Sequence, residues 1–190
     1  MKVKPSSRPG SVTVEMNRFD DQLLQSGANP QSPPLSIRKI VVPIDFSPCS
    51  YKSLDYAIAF AKLSNAEILL LNVVPLAYVD TDLVAFDYQA LERQSAELGQ
   101  IRLEKLSSER VDPSLRTQVK VRIGRPVDEI VAAAKEFEAD LIIMSTHGYT
   151  GLKHAFLGST TENVVRYAPC PVLTVREREH DFVPSPEGKI

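Results

Sequence analysis

The feature that most constrains this chain is the alternation of short, mainly apolar runs with segments of helical period. Lys39-Ile40-Val41-Val42-Pro43-Ile44-Asp45, Glu67 to Val74 and Leu141-Ile142-Ile143-Met144 carry consecutive apolar residues over lengths too short for helices. A strand has this pattern when both of its faces are covered, as in a parallel sheet packed between helices. Thr117 to Ile123 alternates as a further strand, and Val172 to Val175 closes the series. Between these runs the period changes. Leu54, Ala57, Ile58 and Ala61, with Phe60 and Leu63, form a core-facing stripe on a helix over about 48–64, introduced by a Ser47 cap and Pro48. Leu91, Leu98, Ile101 and Leu106 mark a long helix ending near Arg110, and Val127, Ile130, Val131, Ala134 and Phe137 mark another. Strands that alternate with helices imply right-handed parallel crossovers, so the expected fold is α/β, an open doubly wound sheet of five strands.

With 190 residues, 43% of them hydrophobic, the chain can bury one good core. Residues 1–36 are rich in Pro, Ser and polar groups and are expected to form a flexible extension, with only Phe19 to Leu24 suited to a short helical turn. Residues 37–176 form the domain, and 177–190 a C-terminal tail. A net charge of -2 with interspersed signs provides no basic stripe, so nucleic acid is not an expected partner. No apolar run approaches membrane-spanning length and the N-terminus has no apolar signal core, which leads to the expectation of a soluble cytoplasmic protein. Cys49 and Cys170 are far apart and lack metal-site spacing. Cys49 falls in a first helical turn, where a thiol can be activated, yet no companion base is near it in sequence.

Chemistry concentrates after Met144. Gly148, Gly151 and Gly158 lie in the loop that follows the strand, and Ser159-Thr160-Thr161-Glu162 has the form of a capping box that starts a helix. Exposed N–H groups at such a helix start favour an anion, so the simplest reading is a phosphate cradle at the carboxyl end of a parallel strand. Ser159 can spend its hydroxyl on the cap while the N–H groups of Thr160 and Thr161 still meet phosphate. The nine residues between Gly148 and Gly158 exceed the usual strand-to-helix connection, and long ordered loops tend to be functional.

These blocks taken in order resemble the universal stress protein family: KIVVPIDFS, LLLNV, GRPVDEIVAAAKEFEADLIIMSTHG and GLKHAFLGSTTENVVRYAPCPVLTV, together spanning about Ile37 to Arg176. The resemblance implies a Rossmann-like sheet in the order 3-2-1-4-5, a homodimer through the fifth strand (Val172 to Val175), and, in one branch of the family, ATP binding. That branch carries glycine, two residues, glycine, nine residues, glycine, then Ser or Thr. Gly148, Gly158 and Ser159 match it, and Ser145 stands in the place of the first glycine. Serine obstructs phosphate only if the position needs positive φ or bare backbone, and its hydroxyl can donate to a phosphate oxygen instead. By resemblance, Pro43, Ile44 and Asp45 would line an adenosine pocket, Val73 would present its backbone to the adenine edge, and Met144, Ser145, Gly148, Gly158, Ser159, Thr160 and Thr161 would complete the ribose and phosphate side. The same crevice is expected from topology, because ligands of open α/β sheets bind beyond the carboxyl strand ends at a switch point.

Several alternatives stand beside these expectations. Asp45 can serve as a helix cap, His147 and His154 as packing or surface residues, and the segment bearing Asp80, Asp82 and Asp87 as a lid or a surface loop. No P-loop, dinucleotide fingerprint or nucleophile elbow occurs, and Ile123-Gly124-Arg125 stands where a phosphoacceptor domain would need aspartate. The function expected is a stress-response sensor for ATP, ADP or AMP, with Mg²⁺ carried by the nucleotide. A nucleotide-free dimeric adaptor and a slow ATPase are the competing readings.

Overall fold

The computed structural model describes residues 2–5, 12–15, 36–76, 88–146, 158–176 and 183. The chain divides after Ser36 into two compact units. In the first, β1 (Lys2–Pro5) and β2 (Val12–Glu15) form an antiparallel pair with Val3 opposite Val14. The sequence reading expected no strands there, since four-residue runs are too short for alternation to be legible. The helical turn expected at Phe19 to Leu24 lies outside the described residues.

In the second unit, β3 (Lys39–Pro43), β4 (Glu67–Val74), β5 (Thr117–Ile123), β6 (Leu141–Ser145) and β7 (Val172–Val175) form one parallel sheet. Its order is β5-β4-β3-β6-β7, the expected 3-2-1-4-5 when only these strands are counted. The apolar runs are continuous because both faces are buried. Ile40, Val42, Ile68, Leu70, Leu141 and Ile143 face one core, and Val41, Leu69, Leu71, Ile142 and Met144 face the other.

The first core is covered by α1 (Pro48–Ser64) and α2 (Tyr88–Arg110), through Leu54, Ala57, Ala61, Leu103 and Leu106. Val183 also packs against it, so at least one residue of the expected C-terminal tail touches the domain. The second core is covered by α3 (Pro126–Phe137) and α4 (Ser159–Tyr167), through Ile130, Ala133, Ala134 and Val164. One expectation for a buried face is corrected. Leu63, placed on the α1 stripe, is 89% exposed, and Leu91, Leu98 and Ile101 of α2 are all about half exposed or more. Packing on β4 and β5 selects the α2 face that carries Gly99, Leu103 and Leu106 instead.

The sheet also positions a crevice. β3 and β6 pair only at Ile40–Leu141 and Val41–Ile142, whereas β3 pairs with β4 at five positions, out to Pro43. Beyond Val41 the two central strands part. Their connections leave in opposite directions, toward β4 for β3 and toward β7 for β6, which is the topological condition for a binding crevice.

Candidate functional site

A cavity of about 370 Å³ opens where β3 and β6 part. One wall is apolar, made by Leu71 and Val73 of β4, Pro75 beyond it, Pro126 and Ile130 of α3, and Met144 of β6. The lining also includes polar groups, from Asp45, Ser145 and the first residues of α4. The lining therefore suits a ligand that has both a flat apolar part and a polar, oxygen-rich part.

The polar end is held by two hydrogen bonds between α4 and the end of β6. The Gly158 N–H donates to Thr146 O at 2.8 Å, and the Thr161 hydroxyl, 4% exposed, donates to Ser145 O at 2.8 Å. Thr146 is tied in turn to the next strand, its N–H donating to Val175 O at 2.9 Å. Gly158 must approach this closely. A Cβ built there would lie 2.9 Å from Thr146 O, a backbone atom that cannot swing away. Its φ of -66° is open to any residue, so the need for glycine is steric.

Gly158 is also the N-cap of α4, in extended conformation, and no side chain caps the helix. The expected capping box is therefore not formed. Ser159 is the first helical residue, and Glu162 pairs with Arg166 at 3.2 Å. The helix begins one residue earlier than the Ser-x-x-Glu pattern indicates, because the Gly158–Thr146 bond sets its start. Ser159, Thr160 and Thr161 hold the first three helical positions, whose N–H groups have no acceptor within the helix. They border the cavity, and the helix dipole adds partial positive charge there.

Ser145 is buried and lines the cavity as the last residue of β6, paired in register with Val175. It is not among the described residues with positive φ, which are Phe46, Asn65, Glu138 and Gly124. A side chain at this position therefore costs no backbone strain.

On the β3 side, Asp45 both borders the cavity and closes a local turn. Its Oδ1 accepts from the Ser47 N–H at 3.0 Å and from the Ser47 hydroxyl at 2.6 Å. Ser47 is the N-cap of α1 and accepts from the Ser50 N–H at 3.2 Å, with Pro48 following. Asp45 thus supports the cap through Ser47 without being the cap, and the two readings of this residue are compatible. Between them Phe46 is left-handed, with φ 63°, a conformation that costs an L-residue about 1–2 kcal/mol. Ile44 is clamped on both sides, its N–H donating to Leu71 O at 2.8 Å and its carbonyl accepting from the buried Asn72 amide at 2.7 Å.

The structure brings Pro43, Ile44, Asp45, Val73, Met144, Ser145, Gly158, Ser159, Thr160 and Thr161 onto this one cavity. Gly148, His147, His154 and the segment with Asp80, Asp82 and Asp87 lie outside the described residues. Sequence reasoning missed Leu71, Pro75, Pro126 and Ile130. Ile130 was assigned to the core, correctly, but its helix also borders the site. The Gly124-Arg125-Pro126 turn signals that α3 starts at the carboxyl edge of the sheet, where the crevice opens.

The two thiols do not belong to the site. The Cys49 thiol is buried and donates to Val175 O at 3.7 Å, at the carboxyl end of β7. Cys170 precedes the amino end of that strand, and burial, then the nearby Asp140 carboxylate, push its thiol pKa up. The strand between them keeps the two sulfurs on the order of 10 Å apart.

Comparison with known proteins places this geometry. The universal stress protein family matches residues 36–176. The chain is 34% identical over 140 residues to universal stress protein MJ0531 of Methanocaldococcus jannaschii, covering 74% of this chain and 82% of that protein. It is 30% identical over 156 residues to MJ0577 of the same organism, covering 74% of this chain and 96% of that one. The solved structure of MJ0577 superposes with a TM-score of 0.67 over 77% of this chain and 100% of its own. A universal stress protein solved in complex with cAMP shares the fold at 24% identity, with a TM-score of 0.53 over 74% of this chain and 97% of its own. The family match over nearly the whole folded unit, and relatives at this identity aligned over most of their length, establish that this chain belongs to the universal stress protein family.

Proposed function

We propose that this protein binds an adenine nucleotide, ATP or its relatives ADP and AMP, in the crevice between β3 and β6, and that it serves as a cytoplasmic stress-response sensor that signals through occupancy. The observation that carries this reading is the polarity of the cavity. Its apolar lining of Leu71, Val73, Pro126, Ile130 and Met144 suits a purine, and the start of α4, which also borders it, suits a phosphate. Asp45 stands on the β3 side, where a carboxylate accepts from ribose hydroxyls or from the base. The universal stress protein that holds cAMP supports this fold as a frame for an adenine nucleotide.

The test is to purify the protein under mild conditions, denature it and identify any nucleotide released, then titrate the stripped protein calorimetrically with Mg-ATP, ADP and AMP. Retained nucleotide, or micromolar affinity, worth about 8 kcal/mol, supports the sensor reading. Gly158→Asp should abolish binding, since its Cβ meets Thr146 O and its carboxylate repels phosphate.

Ser145 in place of the first motif glycine is the observation that favours a nucleotide-free dimeric adaptor. No released nucleotide and no heat would support that reading. Turnover above a matched blank would instead mark a slow ATPase.

A further inference from the structure

Phe46 carries the least favourable backbone conformation next to the cavity, and something must hold it there. The alternation of β3 continues past its end. Ile40, Val42 and Ile44 face the α1/α2 core and Phe46 packs against the same core, while Pro43 and Asp45 border the cavity. The Phe46 ring is covered from outside by the Arg102 guanidinium of α2, 3.8 Å from the ring centroid. One turn earlier on the same face of α2, buried Gly99 leaves room for Asn72, whose Oδ1 lies 2.8 Å from where a Gly99 Cβ would be. The Asn72 amide in turn holds Ile44 O. Gly99 and Arg102 thus let α2 reach both ends of the Ile44-Asp45-Phe46 segment, from the side opposite the cavity.

We propose that Arg102, acting through Phe46, is a positioning residue that holds the Asp45–Ser47 turn and so sets the affinity of the crevice for the nucleoside part of its ligand. The ligand half of this inference rests on the adenine-nucleotide reading. The physical reason is direct. A left-handed phenylalanine persists only when its surroundings over-determine it, and a guanidinium stacked on the ring adds attraction that exists only in that conformation. Loss of the stack lets Phe46 relax, and Asp45, one residue away, turns with it. The start of α4 is held separately, by the hydrogen bonds of Gly158 and Thr161 to the end of β6.

Two measurements on Arg102→Ala and Arg102→Lys decide this. The first is hydrogen exchange of the Ser47 amide without ligand, since that N–H is bonded to Asp45 Oδ1. The second is calorimetric affinity for adenosine and for AMP. A cation–π contact at an exposed site corresponds to about a two- to fivefold effect. Arg102→Ala should speed Ser47 exchange and weaken adenosine and AMP by that common factor, so the ratio of the two affinities stays as in wild type. Arg102→Lys, which keeps a cation over the ring, should recover part of both effects. In a Phe46→Ala background, Arg102→Ala should change neither quantity further.

A merely structural role would lower the thermal midpoint and leave Ser47 exchange relative to its neighbours, and both affinities, unchanged; that result overturns the proposal. If wild-type protein binds neither adenosine nor AMP, the nucleotide reading fails and the ligand half of this inference with it. Ser47 exchange still decides whether Arg102 holds the turn.

Discussion

The residues that shape the polar end of the crevice act through contacts only a few tenths of an ångström from failure. Gly158→Ala adds a methyl group 2.9 Å from Thr146 O, so backbone must move. The expected cost is about 1–3 kcal/mol of unfolding free energy, measured by urea titration, together with weaker nucleotide binding. Thr161→Val keeps the shape and removes the donor to Ser145 O, leaving a buried carbonyl short of a partner. That should cost about 1–3 kcal/mol in the same assay. Legibility at this scale was uneven. Gly158 and Thr161 were identifiable from the motif and from the helix start that follows it. The reason Gly158 must be glycine was not, because Thr146 O meets it only once β6 and α4 are joined. The capping box misled for the same cause: a local pattern indicated Ser159, and a tertiary hydrogen bond moved the cap to Gly158. Ser145 shows the converse, a departure from the motif that the backbone tolerates without strain.

At the scale of elements, α1 was readable at both ends. Ser47-Pro48 starts it, and its C-cap Asn65 is left-handed, with φ 55°, its N–H returning to Ala61 O. Ser47→Ala removes the cap and one partner of Asp45 together, so it should cost about 1 kcal/mol and also weaken nucleotide binding, a pairing that a simple capping loss would not produce. The edge of the sheet makes a separate prediction. Ile142 donates to Pro171 O and Thr146 to Val175 O, so alternate residues of β7 turn toward β6 and Val172 and Thr174 turn their backbone groups outward. If the protein dimerises through this strand, as its family resemblance implies, Thr174→Pro removes an outward donor while sparing the internal ladder. Sedimentation should then show a dimer for wild type and a monomer for the variant, with the fold intact by circular dichroism. The buried face of α2 was not legible at this scale. Leu91, Leu98 and Ile101 signalled the helix, yet they are about half exposed or more, and the helix buries Leu103 and Leu106.

For the whole molecule, two exposed carboxyls with partners contribute to the loss of stability in acid. The Arg122 guanidinium, then Lys120, hold the Glu136 carboxyl below the usual range, and hydrogen bonds from the Ser114 N–H and hydroxyl do the same for Asp112. A carboxyl depressed in the folded state contributes stability above its unfolded pKa, and that contribution is lost as pH falls through the folded value. The thermal midpoint should therefore hold above about pH 5 and decline below about pH 4. The decline should be shallower in Glu136→Gln with Asp112→Asn, whose midpoint near neutrality starts lower.

Periodicity is a local property, and between residues 37 and 176 it was enough to specify which segments are strands and helices, their order along the chain, and an open parallel sheet with right-handed crossovers, whereas the strand order within the sheet came from the family resemblance. The motif after β6, read through the family resemblance, pointed to Ser145, Gly158 and Ser159, which border the crevice. Three features were decided only by tertiary structure: which face of α2 is buried, where the pairing of β3 with β6 stops, and the left-handed turn at Phe46 under Arg102. Each depends on segments distant in sequence meeting in space, where the fit between two surfaces, and not the pattern of either one, sets the free energy.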